Sequence, residues 1–228
     1  MIHDVVAWFG DSDHWHGANG VPTLLGQHAL LTLVSMLLAG AVGLPLALWL
    51  GHRGRGGTFA VNLSNIGRAI PIVALLSLLS LGLFGTGALG PFGRSGLATL
   101  VTLALFALPP IVTNTYTGVT EVDRDVVEAA RGMGMAEADV LRRVELPLAM
   151  PMILTGVRLA VVQVWATATI AALVAGPGLG RIIIHGYESF QTGEVVAGAL
   201  IVAVVALVLE LGLAGVQKLL APRPSGSR

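Results

Sequence analysis

The chain has 228 residues, of which 54% are hydrophobic and 11% charged, with 13 basic and 13 acidic side chains. That is roughly half the charge of an ordinary soluble domain, which argues against a soluble globule. Zero net charge without a Lys/Arg block excludes a nucleic-acid footprint, and the lack of cysteine excludes disulfides, thiolate catalysis and Cys-ligated metal.

The first 22 residues carry Asp4, Asp11 and Asp13 but no Lys or Arg, unlike the basic start of a secretory signal. Residues 1–23 read as an extracytoplasmic segment, with Trp8, Phe9 and Trp15 on a short amphipathic stretch. His14 and His16 with Asp11 and Asp13 are metal-ligand types, but a solvated face is the expectation there.

Five spans follow from the charge-free runs, at about 27–50, 66–84, 96–116, 155–175 and 195–217, since a bilayer needs about 20 apolar residues. The expected architecture is all-α and polytopic, in the lipid bilayer. Gly40, Gly43 and Pro45, then Pro71, then Pro109–Pro110 mark helices built to pack on other helices. Gly85-Thr86-Gly87-Ala88-Leu89-Gly90 matches a dinucleotide pattern but lies outside any βαβ unit, so it reads as a loop.

An odd number of spans puts the termini on opposite sides. With the N-terminus outside, the inner segments hold nine Lys/Arg and the outer ones two, Arg94 and Arg181. The C-terminus, including the polar tail 218–228, is then cytoplasmic.

Polar groups at membrane depth are few. Asn62, Asn65, Asn114 and Gln163 either hydrogen-bond between helices, which is favoured, or line a polar path. Trp165 is read as packing before passage lining, and Trp49 and Tyr116 as interfacial belt residues. Asn65, Asn114, Gln163 and Trp165 form the candidate translocation path. Arg68 and Arg158 are expected to snorkel, and Glu210 to pair with a neighbouring helix. The remaining histidines, His28, His52 and His185, are scattered and give no enzyme signal.

Eleven charges fall between Glu121 and Glu145, so this loop belongs in water. Val126, Val127, Ala130 and Met133 make one apolar helical face, and Gly132 with Gly134 supply a break. A second helix is written by Val140, Leu141 and Val144, with Asp139 paired to Arg142 and Arg143, and Pro147 is expected to end it. By residues alone, the loop reads equally as a solvated connector or a docking surface.

Glu128-Ala129-Ala130, three residues, Gly134, nine residues, Val144, one residue, Leu146-Pro147 resembles the EAA motif of ABC importer permeases, EAA-x3-G-x9-I-x-LP. Only Val144 departs from it. The similarity covers about 24–217, and it implies a type I ABC importer permease (MetI-like) fold in the cytoplasmic inner membrane, with 120–147 as the cytoplasmic coupling loop. Asn65–Leu76, Thr113–Val119, Ala129–Met135 and Val144–Ala149 resemble the branch that imports glycine betaine, choline, carnitine and proline betaine. Ala175-Gly-Pro-Gly-Leu-Gly180 is similar to that branch's glycine-rich stretch, with Pro177 as a departure.

The resemblance implies partners: two cytosolic ATPases, a second permease of the same or a sister kind, and an extracytoplasmic binding protein. It assigns Glu128, Ala129, Ala130, Gly134, Val144, Leu146 and Pro147 to ATPase coupling. The chain itself is then no enzyme and holds no cofactor or metal, ATP and Mg being bound by the partner; its single lysine, Lys218, leaves no place for a phosphate loop. The rival readings are a permease for another small polar solute, such as an amino acid, and a self-sufficient ion-coupled carrier or channel. The latter is disfavoured because Glu210 is the only acid within a span.

Overall fold

The computed structural model describes residues 2–58, 62, 69–85 and 87–220, the last without its side chain. Among these residues every regular element is helical. Helix α1 is Ile2–Gly10, α2 Val21–His52, α3 Ile72–Leu83, α4 Gly96–Thr120, α5 Arg124–Gly132, α6 Glu137–Val174, α7 Gly180–Glu188 and α8 Thr192–Leu220. Four of them, α2, α4, α6 and α8, are long and apolar enough to cross a membrane, and α3 is a shorter apolar helix. The second expected span is thus described only over Ile72–Leu83, and Asn65 and Arg68 lie outside the described residues.

The chain divides into two compact units, and each of the four long helices contributes to both. In the unit made of Met1–Leu38, Ile70–Ala107 and Val161–Leu209, the core gathers Trp8, Leu24, Trp165, Leu179, Ile182, Ala197 and Val202. His28 is fully buried there. Its Nε2 lies 2.9 Å from the Trp165 carbonyl oxygen, and its Nδ1 accepts from the Leu179 N–H at 3.2 Å. A carbonyl only accepts and an N–H only donates, so the ring is neutral with its proton on Nε2. This ties the turn Ala175–Gly178, which enters the left-handed region at Ala175 and Gly178, onto α2.

The N-terminal segment closes on itself. His14 Nδ1 donates to the Trp8 carbonyl and His16 Nδ1 to that of Ser12, while Asp11 caps the turn by accepting from the Asp13 N–H. The side chains of Asp11, His14 and His16 are therefore used locally, and no metal-type cluster of three exists among the described residues.

In the unit made of Ala39–Ala69, Leu108–Ala160 and Glu210–Arg228, the helices approach through small residues. A Cβ on Gly156 would stand 2.7 Å from the Asn114 Cβ and from the Pro110 carbonyl oxygen, so only glycine lets α6 lie this close to α4. The core here is Val119, Val122, Val127, Ala130, Val140, Ala149 and Ile153. Arg158 does not simply snorkel: Nη1 donates to Gln217 Oε1 at 2.8 Å and Nε lies 3.4 Å from Glu210, the helix-to-helix pairing expected for that acid.

Two prolines are accommodated rather than breaking their helices. Pro110 removes the N–H that the Phe106 carbonyl would accept in an α-helix. Gln163 Nε2 donates to that oxygen instead, at 3.3 Å. Pro147 does not end the second loop helix: α6 runs unbroken from Glu137 to Val174. The five residues Leu141–Glu145 widen into a π turn, in which the Leu146 N–H bonds to the Leu141 carbonyl, so the ladder has already shifted register where the proline enters.

Candidate functional site

The charged loop is built from α5, a tight turn and the first part of α6. Asp123 starts α5 by accepting from the Asp125 N–H at 2.9 Å. The helix ends in a Schellman turn: the Met135 N–H bonds to the Ala130 carbonyl at 3.2 Å and the Gly134 N–H to that of Arg131 at 2.9 Å. Gly134 stands at the left-handed position with φ +84°, which fixes it as the elbow. Gly132 is the last residue of α5 and keeps ordinary backbone, so it supplies no break.

The apolar face differs from the one read from spacing. Val127 and Ala130 are buried in the core with Met135 packed beside them, but Val126 is 44% and Met133 77% exposed. Burial at i and i+3 with the i+8 residue brought in by the turn needs only a narrow stripe, which leaves the other two free. Glu128, Ala129 and Pro147 are exposed too, and Val144 and Leu146 are half-buried against the core. The motif thus splits into an inner set that holds the loop and an outer set that faces away from it.

A line of polar contacts crosses this loop. Glu145 is only 2% exposed, and its Oε2 lies 2.6 Å from His52 Nδ1 at the end of α2. His52 Nε2 lies 3.1 Å from Glu137 Oε2. Arg131 donates to both Glu137 oxygens, Nε at 3.0 Å and Nη2 at 2.9 Å. This hydrogen-bonded carboxylate holds the Arg131 pKa above its ordinary value. Asp139 pairs with Arg143 at 3.1 Å, the i+4 partner expected, while no Arg142 pairing accompanies it.

Beside the line opens a cleft of about 510 Å³ lined by Trp49, His52, Arg53, Arg55, Arg131 and Glu137. Arg53 lies over the half-exposed Trp49 ring at 4.6 Å, a cation–π contact at the end of α2.

His52, Glu137 and Glu145 were not singled out as site residues by sequence reasoning. One signal for Glu145 exists: it stands between Leu141 and Ala149 at helical spacing, a carboxylate on an otherwise apolar stripe. Its partner, 93 residues away in the chain, leaves none.

Three of the candidate path residues, Asn114, Gln163 and Trp165, are among those described, and each hydrogen-bonds to a helix carbonyl. Trp165 is 2% exposed, its indole donating to the Val202 carbonyl at 3.1 Å, so it packs the core instead of lining a passage. Asn114 Nδ2 donates to the Pro110 carbonyl at 2.8 Å, and Gln163 is used at Phe106, both serving helix backbones.

The family model described as binding-protein-dependent transport system inner membrane component matches residues 43–226. The choline transport system permease protein OpuBB of Bacillus subtilis is 31% identical over 196 residues, 86% of each chain. The carnitine transport permease protein OpuCD of Listeria monocytogenes is 32% identical, covering 86% of this chain and 84% of its own. The osmoprotectant import permease protein OsmY of Salmonella typhimurium is 34% identical, with 87% and 81% covered. Among solved structures, the inward-facing MetNI methionine ABC transporter matches with TM-score 0.71 at 20% identity, over 89% of this chain and 96% of that one. An amino acid ABC transporter solved with histidines matches with TM-score 0.65 at 19% identity, over 87% and 91%. These two carry the fold.

Proposed function

The chain belongs to the family of binding-protein-dependent transport system inner membrane components, and from that membership and the loop's geometry we propose that the loop 120–147 is the coupling element through which a separate ATPase drives import of an osmoprotectant. One observation carries the reading. Val127 and Ala130 are buried while Glu128, Ala129 and Met133, ahead of the Gly134 elbow, are exposed, so the loop presents an anchored face and a free one. Val126 and Met133 add exposed apolar surface on α5 and at its C-cap.

In this reading Ala129 permits close approach of the ATPase, Glu128 accepts a polar or cationic contact, and Met133 fills an apolar pocket. Two ATPases, binding ATP and Mg, act on two permeases, and closure of the ATPase pair draws the two loops together. ATP shifts the inward-outward equilibrium only as far as the closed ATPase pair favours one state. The excess of Lys/Arg in the segment after α2, in the charged loop and at the C-terminus supports an inside position for the loop and an extracytoplasmic 1–23. The substrate class, choline, glycine betaine or carnitine, rests on the relatives' names and on the resemblance of 65–76 and 129–149. Selectivity lies mainly in the separate binding protein.

The test uses the assembled transporter in proteoliposomes with labelled betaine, choline and proline. Glu128→Arg and Gly134→Pro are expected to lower uptake and to uncouple ATPase stimulation by loaded binding protein. Unchanged coupled transport in both removes the docking assignment. Uptake of an amino acid in place of all three solutes overturns the substrate class.

A further inference from the structure

We propose that His52 is a positioning residue for transport: it pins the coupling loop to the inner end of the first span, so that movement of the loop moves α2. The proposal deepens the docking reading and rests on it. Its ground is the line Glu145–His52–Glu137–Arg131, which touches every part of the loop's framework. Arg131 is in the last turn of α5, just before the Gly134 elbow. Glu137 opens α6 just after it. Glu145 closes the π turn, and His52 ends α2.

The chemistry of the line makes His52 more than one contact among several. Glu145 is a buried carboxylate whose ion-pair partner is His52, and no Lys or Arg pairs with it among the described residues. An ionised carboxylate out of water needs such a partner. Both ring nitrogens of His52 face carboxylate oxygens, Nδ1 that of Glu145 at 2.6 Å and Nε2 that of Glu137 at 3.1 Å, so the ring is held from both sides. The charged groups around it are Glu145 and Glu137 from α6, Arg131 from α5, and Arg53 and Arg55 from the segment after α2. A ring held between two acids on one helix is a two-point attachment, which fixes orientation as well as distance.

The π turn gives the attachment its register. One extra residue in a helix of 3.6 residues per turn rotates all that follows by about 100°. It is this turn that ends at Glu145 and hands over to the apolar face of Leu146 and Ala149. A widened turn of this kind is also the weakest part of the helix ladder, so a pin across it keeps the loop from moving alone.

The test uses the complete transporter, permease with ATPase and binding protein, in liposomes. His52→Leu alone strands Glu145, so the informative variant is His52→Leu with Glu145→Leu, which removes the charge and its partner together. Expected are wild-type thermal stability and co-purification of the ATPase, with solute moved per ATP reduced about tenfold, within the usual range of inter-site coupling. His52→Arg, whose fork reaches two carboxylates and for which the adjoining cleft has room, is expected to restore most of it. Wild-type transport by the double leucine variant overturns the proposal and leaves the docking reading standing. Loss of the ATPase from a thermally normal double variant overturns it as well, because His52 then shapes the docking face itself. If Glu128→Arg and Gly134→Pro keep coupled transport, it is the docking reading that falls.

Discussion

Two histidines on one helix, His28 and His52, show how partners set what a residue does. His28 lies in a core and holds two backbone groups, one by donating and one by accepting, so it stays neutral. His52 ends the same helix between two carboxylates, with one ring nitrogen against each. The first fastens a turn of the chain and the second fastens a mobile assignment, the loop through which force is proposed to arrive. The difference teaches that a histidine bound to backbone has no substitute partner, whereas one bound to side chains is one member of a removable set.

The sharpest way to break this contrast is by second-site rescue. His52→Leu leaves an unpaired buried carboxylate and is expected to cost about 3–5 kcal/mol. Adding Glu145→Leu should recover most of that, measured as apparent melting temperature in detergent. His28→Leu orphans the Trp165 carbonyl and the Leu179 N–H, and is expected to cost about 3 kcal/mol. No second substitution should rescue it, but His28→Gln, which can both donate and accept, should recover part. Rescue of His28→Leu by a side chain elsewhere in the core would end the distinction.

The same contrast marks how far the sequence could be read. The charge-free runs gave the four long helices, and Glu128 to Pro147 gave the family, because both are local patterns along the chain. Gly134 was legible as the elbow for the same reason. What escaped were consequences of pairing at long range. Pro147 was read as a stop because the π turn that accommodates it has no signature in residues 141–145. His52 and His28 looked scattered because their partners lie 93 and 137 residues away. Val126 and Met133 match the period of a buried face, yet a core needs only part of a periodic stripe, and periodicity does not say which part.

A smaller effect tests whether polar groups at membrane depth serve backbones throughout. Gln163 supplies the donor that Pro110 denies to the Phe106 carbonyl. Gln163→Leu is expected to destabilise by about 1 kcal/mol, in the range of hydrogen bonds between membrane helices. Adding Pro110→Ala returns the backbone donor and should abolish the cost. Non-additivity of that size in the double-mutant cycle ties the two residues together, whereas simple addition of the two effects assigns Gln163 to something other than mending the helix. A fall in transport with unchanged stability would instead put Gln163 on the solute's path.

The smallest effect belongs to the pair that was easiest to read from spacing. Asp139 and Arg143 are i and i+4 on α6, both substantially exposed, and their contact of 3.1 Å is the local kind that helix surfaces supply. Removing it with Asp139→Ala is expected to cost about 0.3 kcal/mol and to leave coupled uptake unchanged. The contact lies on the same helix as Glu137 and Glu145, so it serves as the internal control for them: equal charge type, equal loop, but no partner on another helix. If Asp139→Ala lowered transport per ATP as far as loss of the His52 bridge does, the effect would come from loop charge in general. A negligible change, beside a large one at His52 and Glu145, places the coupling in the bridge between helices.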